Sequence, residues 1–211
     1  MLGTIFTFEV KRWLTNPSFY IYAGLFFIFS LLMMGGALGI FDGLTVTASS
    51  NTFVNSPIAL NGLINGLSTF TYFLVPTIIG ASIYRDFKYN MHTIVFSYPF
   101  TKMDYLLGKF LSSLFIVVLI VATIGVATYL ASFLPGINQD LLGSYSIVAY
   151  LQIYCIYVIP NLFFYGVIVF AIVTISRNIS VGFIAVIVLL FIDGVIGGYT
   201  RDADNRYLAG I

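Results

Sequence analysis

Long apolar segments alternate with short polar ones along this chain, and the pattern predicts five helices long enough to cross a bilayer. They cover about residues 18–40, 57–83, 106–133, 145–176 and 179–199. A hydrocarbon core of about 30 Å needs about 20 apolar residues per helix, and each segment meets that length. Ahead of them, residues 1–16 are too polar to span. Leu2, Ile5, Phe6, Val10, Trp13 and Leu14 recur there at three- and four-residue spacing, which marks one face of an amphipathic helix. Glu9, Lys11 and Arg12 fall outside that set, so the helix is expected to lie in the membrane interface with Trp13 at headgroup depth.

Breaks and polar insertions refine the pattern. Asn16-Pro17 should end the first helix, because proline disfavours helical geometry in the residue before it. Pro57 fits the first turn of the second span, Pro76 should kink that span, and the long fourth span should tilt or bend at Pro160. Gly35 and Gly39 have the small-xxx-small spacing that lets helices approach closely. Asn61, Asn65 and Thr69 lie four apart, so they share a helix face. Such amides in hydrocarbon are expected to hydrogen-bond across to another helix, at about 0.6–2 kcal/mol each, or to line a substrate path. Gln152, Asn161 and Asp193 pose the same choice. An acid inside an apolar run is costly and is a functional candidate by default. Asp193 stands about 21 Å along its helix from the start of the fifth span at 1.5 Å per residue, which points to the outer boundary.

Composition confirms the class. The chain has 211 residues, of which 60% are hydrophobic and 8% charged, with a mean hydropathy of +1.02. Soluble domains carry about 25% charged residues. The fold class expected is therefore all-α, a polytopic membrane protein. Its organisation is an interface helix over 1–16, a membrane domain over 17–199 and a polar tail over 200–211. One cysteine, Cys155, excludes a disulfide framework, and the balance of charge gives no reason to expect nucleic acid. With the N-terminus in the cytoplasm, seven basic residues lie inside and only Arg201 and Arg206 outside, which satisfies the positive-inside rule. The expected location is a cell (inner) membrane, multi-pass.

Charge gathers in one place, residues 84–109. Of nine basic and eight acidic residues in the chain, six lie there: Arg85, Asp86, Lys88, Lys102, Asp104 and Lys109. Phe87, Met91, Ile94 and Val95 have helical spacing; Ser97-Tyr98-Pro99 interrupts it. Thr101-Lys102-Met103-Asp104 then matches the start of a capped helix that runs into the third span. Two short helices about a proline, joined stiffly to spans on both sides, make a docking element.

The order of these features resembles the membrane subunits of ABC transporters of the ABC-2 type, the type V exporter fold. The resemblance is carried by Arg85, Asp86, Pro99, Tyr105, Leu106, Gly108 and Lys109, and the opening stretch over residues 8–22 looks like bacterial ABC-2 permeases fused to an M1-type aminopeptidase. It implies a permease half that exports a substrate, paired with a second half as homo- or heterodimer. A cytoplasmic ATPase subunit, holding ATP and magnesium, would grip Arg85, Asp86, Lys88, Pro99, Lys102, Asp104, Tyr105 and Lys109. Asn61, Asn65, Thr69, Gln152, Asn161 and Asp193 would line the substrate path. The family has six spans where this chain supplies five, so the tail from Thr200 is expected to begin an outer loop of a longer polypeptide.

The chain's own residues carry no expected enzyme chemistry or cofactor. Gly108-Lys109 lacks the upstream glycine of a phosphate-binding loop, and Phe110 stands where a Ser or Thr would bind magnesium. His92 is the single histidine, without the companions a metal site needs. The alternatives are an ion-coupled secondary transporter, which would work without ATP, and an intramembrane enzyme, which would need a second catalytic group beside Asp193.

Overall fold

The computed structural model describes residues 2–40, 53–89 and 101–201, with side chains through Tyr199. Among these residues the secondary structure is helical, with no strand, and five helices are long and apolar enough to cross a membrane.

Helix α1 (Leu2–Leu14) ends where the sequence predicts. Asn16 caps α2 (Pro17–Ala37): its side chain accepts the Ser18 amide at 3.0 Å, and Pro17 takes the first helical position, where a missing N–H costs nothing. Gly39 lies beyond the last turn of α2 at φ +83°, in the left-handed region that glycine enters freely. It therefore terminates the helix, and the expected Gly35–Gly39 packing pair does not form within one helix.

Helix α3 (Pro57–Thr71) starts at the Ser56 cap. The chain turns at Tyr72–Phe73, passes through a π-helical segment at Pro76–Gly80, and continues as α4 (Ala81–Lys88). The Ala81 amide bonds to the Pro76 carbonyl five residues back. Pro76 thus brings a change of helical register, in keeping with the expected kink. Arg85, Asp86 and Lys88 consequently belong to the end of the second long helix. The expected separate helix from Arg85 is corrected to that extent. Met91, Ile94, Val95, Pro99 and His92 lie outside the described residues.

Thr101 opens α5 (Lys102–Ala131), and its hydroxyl accepts the Asp104 amide at 3.1 Å. This is the predicted cap, five residues before the start of the expected span. Helix α6 (Ile147–Gln152) leads through a π segment at Ile153–Val158 into α7 (Ile159–Ser176), with Pro160 at its start. Arg177 closes α7 with φ 54°, and α8 (Ile179–Arg201) turns back along it.

The 30-residue α5 is the central post. Ile116, Ile120 and Ile124, at four-residue spacing, have no exposed surface. Helices α1 and α2 pack on α5, α7 packs on α8, and the Pro76–Gly80 segment meets α5, α7 and α8. Glycines set the closest approaches. A methyl on Gly108 would stand 3.0 Å from Ile5 of α1, and one on Gly182 would stand 2.7 Å from Val173. At the end away from α1, Asn55 and Gly143 exchange two hydrogen bonds of 2.8 and 2.7 Å, and the Asn138 amide donates to the Leu38 carbonyl at 3.0 Å. The α2–α3 and α5–α6 connections are tied together there.

Candidate functional site

The charged stretch folds inward. Lys109 lies at the third turn of α5, 4% exposed. Its ammonium reaches Glu9 Oε1 at 2.8 Å, Asp86 Oδ2 at 2.7 Å and the Ser82 carbonyl at 2.8 Å. An ammonium has three donors, and all three are used. The Tyr105 hydroxyl donates to the same Asp86 oxygen, and the Lys109 nitrogen lies 5.4 Å from the centre of the Tyr105 ring.

Arg85 extends the group. Its guanidinium lies 3.9 Å from Glu9 Oε2 and sits 5.4 Å from the Trp13 ring centre, within cation–π range. Arg12 approaches the same carboxylate at 3.7 Å from the rim. Two acids therefore face two buried or half-buried cations, with a third cation at the edge. Removing one partner of such a pair leaves a buried charge uncompensated and costs about 3–5 kcal/mol. The group joins α1, α4 and α5, three elements that local sequence alone does not link.

Glu9 corrects the sequence reading, which put it on the polar face. It is 3% exposed. Ile5, Glu9 and Trp13 stand four apart, so Glu9 falls in the middle of the buried stripe of α1. That spacing was the signal available for finding it. Trp13 is likewise buried at 5%, under Arg85.

The other expected docking residues divide by exposure. Lys88 and Lys102 are exposed, and Asp104 is partly exposed in the first turn of α5. Pro99 lies outside the described residues. Arg85, Asp86, Tyr105 and Lys109 form the internal network just described. At the same end, Arg177 lies 5.0 Å from the Phe87 ring centre.

A second polar group lies within the apolar length of the helices. The Asn65 amide donates to Asn61 Oδ1 at 2.7 Å, and the Thr69 hydroxyl donates to the Asn65 carbonyl at 3.0 Å. These bonds run along α3, which corrects the expectation that the amides bond across to a neighbouring helix. Methyl groups on Gly62 and Gly66 would meet nothing within 4 Å, so this side of α3 is open.

Tyr72 follows the last residue of α3 as its C-cap and is buried. Its ring stacks on Tyr165 of α7 with centroids 4.1 Å apart and planes 11° apart. The Tyr165 hydroxyl donates to Asp193 of α8, and the Asn161 amide lies beside the Tyr72 hydroxyl. Two expected residues, Asn161 and Asp193, are thus brought together by two tyrosines that the sequence did not single out. Both tyrosines are aromatic residues in apolar runs, which read as ordinary core. Gln152 is exposed at the end of α6 and joins neither group. Among the described residues no group of three metal-ligating side chains occurs.

No family model, curated protein or solved structure matches the chain.

Proposed function

We propose that this chain is the permease half of a transporter, driven from its charged end by a separate ATPase. The observation that carries the reading is Lys109, bonded at once to Glu9 of α1 and Asp86 of α4. A displacement of α1 or α4 cannot leave α5 behind without separating buried charges. From that joint α5 continues to Ala131, about 33 Å at 1.5 Å per residue. Force applied at one end is therefore carried through the whole apolar length.

The positive-inside pattern supports a cytoplasmic position for this end in a cell (inner) membrane, where a nucleotide-driven partner would act. The resemblance to ABC-2 permeases supports ATP and magnesium on that partner and a second permease half. Lys88 and Lys102, exposed beside the network, are the groups the partner meets first. Arg85, Asp86, Tyr105 and Lys109 transmit the movement from inside.

The test is co-purification of a candidate ABC-type ATPase, co-expressed with this chain, with Lys88→Glu and Lys102→Glu variants. Loss of the ATPase with an unchanged elution profile of the membrane part is the expected result. Full retention with both charges reversed would overturn docking there. Transport in vesicles lacking nucleotide would favour the ion-coupled alternative instead.

A further inference from the structure

We propose that Asp193, with Tyr165, Tyr72 and Asn161 behind it, forms a binding site for a lipophilic organic cation. As a substrate site it rests on the transport reading above, whereas binding itself needs no ATPase. Asp193 is the sole charged residue between positions 110 and 200 apart from Asp140 and Arg177. Those two lie in the connectors at either end of α6 and α7.

The carboxylate is deep. It stands 14 residues from Ile179, about 21 Å along α8, and its partner Tyr165 is about 16 Å from the Ser176 end of α7 on the same measure. Tyr72 lies near the middle of the Pro57–Lys88 helical run. The group therefore lies within the apolar length of the helices, with Asp193 nearer the Tyr199 end than the Ile179 end of the fifth span.

The carboxylate is also held but not neutralised. Tyr165 donates one hydrogen bond to Asp193 Oδ2, and among the described residues no cation pairs with Asp193. Tyr165 and Tyr72 are 3% and 8% exposed and stacked, so the hydroxyl that fixes the acid is itself immobile. Asp193 by contrast is exposed, as is Asn161 one turn from Tyr165. An ionised acid facing an apolar medium is unfavourable until a counter-charge arrives.

The surroundings define that counter-charge. Ile192 and Ile196 on α8 and Phe164 on α7 are exposed around the acid, and they match an apolar body. A hydrated inorganic cation would find no ring of oxygen ligands here. An anion would meet an acid in a region of low dielectric. A bulky apolar molecule with one positive charge satisfies all of these features.

Tetraphenylphosphonium and tetraphenylborate share a shape and differ in sign, so they isolate the charge. Equilibrium binding of each, radiolabelled, is measured on the chain in lipid nanodiscs with empty discs subtracted. The expected result is saturable binding of the phosphonium alone, weakened about tenfold or more in Asp193→Asn and kept in Asp193→Glu. No saturable phosphonium binding, equal binding of the borate, or unchanged affinity in Asp193→Asn would each overturn the site. If Asp193→Asn does not elute as a single species, the wild-type discrimination between the two probes decides alone. A negative result here leaves the Lys88 and Lys102 docking test standing, and failure of that test leaves this one standing.

Discussion

The Tyr154 hydroxyl sits between the Gly125 amide and the Val121 carbonyl of α5, accepting from the first at 2.9 Å and donating to the second at 2.8 Å. In a regular helix those two backbone groups bond to each other. The insertion comes from the π-helical segment Ile153–Val158, and it requires glycine at 125, where a methyl would stand 2.9 Å from the tyrosine ring and hydroxyl. Side chains inserted into the helical ladder are an established cause of local bending.

Gly125→Ala should therefore destabilise the chain by about 1–3 kcal/mol through overpacking. Tyr154→Leu removes the obstructing ring, so the double variant should be more stable than the sum of the single effects. Thermal unfolding in detergent reads the cycle. Additive single effects would show that the contact carries no strain in the alanine variant.

Lys109→Met should be among the most damaging single changes, at about 3–5 kcal/mol. It strands Glu9 and Asp86 without their shared partner. Adding Glu9→Gln to Lys109→Met should recover part of the loss, measured as a shift of the unfolding midpoint. The same Glu9→Gln change in the wild-type background should be destabilising.

Thr101→Ala should cost about 1 kcal/mol, because the Asp104 amide loses its cap. Thr101→Asp should hold stability, since its carboxylate accepts the same amide and favours the helix N-terminus. Hydrogen exchange at the first turn of α5 locates the effect.

Arg177 has a left-handed backbone at φ 54° and a guanidinium against Phe87. Arg177→Val should lose about 1–2 kcal/mol, since a β-branched residue is strained there. Arg177→Asn should lose less, because asparagine tolerates that conformation. An equal loss in both would assign the effect to the Phe87 contact alone.

Gly182→Ala and Gly194→Ala should separate clearly on the same helix. The first puts a methyl 2.7 Å from Val173, and the second meets nothing within 4 Å. The expected losses are about 1–3 kcal/mol and under about 0.5 kcal/mol, read from unfolding midpoints.

The sequence by itself determined the local elements of this protein. Runs of apolar residues placed all five long helices to within a few residues. Asn16-Pro17 marked a helix end, and Pro57 and Thr101 marked helix starts, because prolines and caps act within two or three positions. Pro76 and Pro160 marked the two stretches where the helical register changes. All of these causes lie within a turn or two of their effects.

The tertiary structure decided what the polar residues do. Glu9 and Lys109 are 100 positions apart, and nothing local states that they share one proton-rich contact. The charged stretch therefore read as a surface, although half of its matched residues turn inward to neutralise each other. Asp193 stood out in the sequence, yet its partner Tyr165 came only from α7 packing beside α8. Charge in an apolar chain is visible from composition. Whether that charge faces solvent, another charge or open lipid depends on which helices become neighbours.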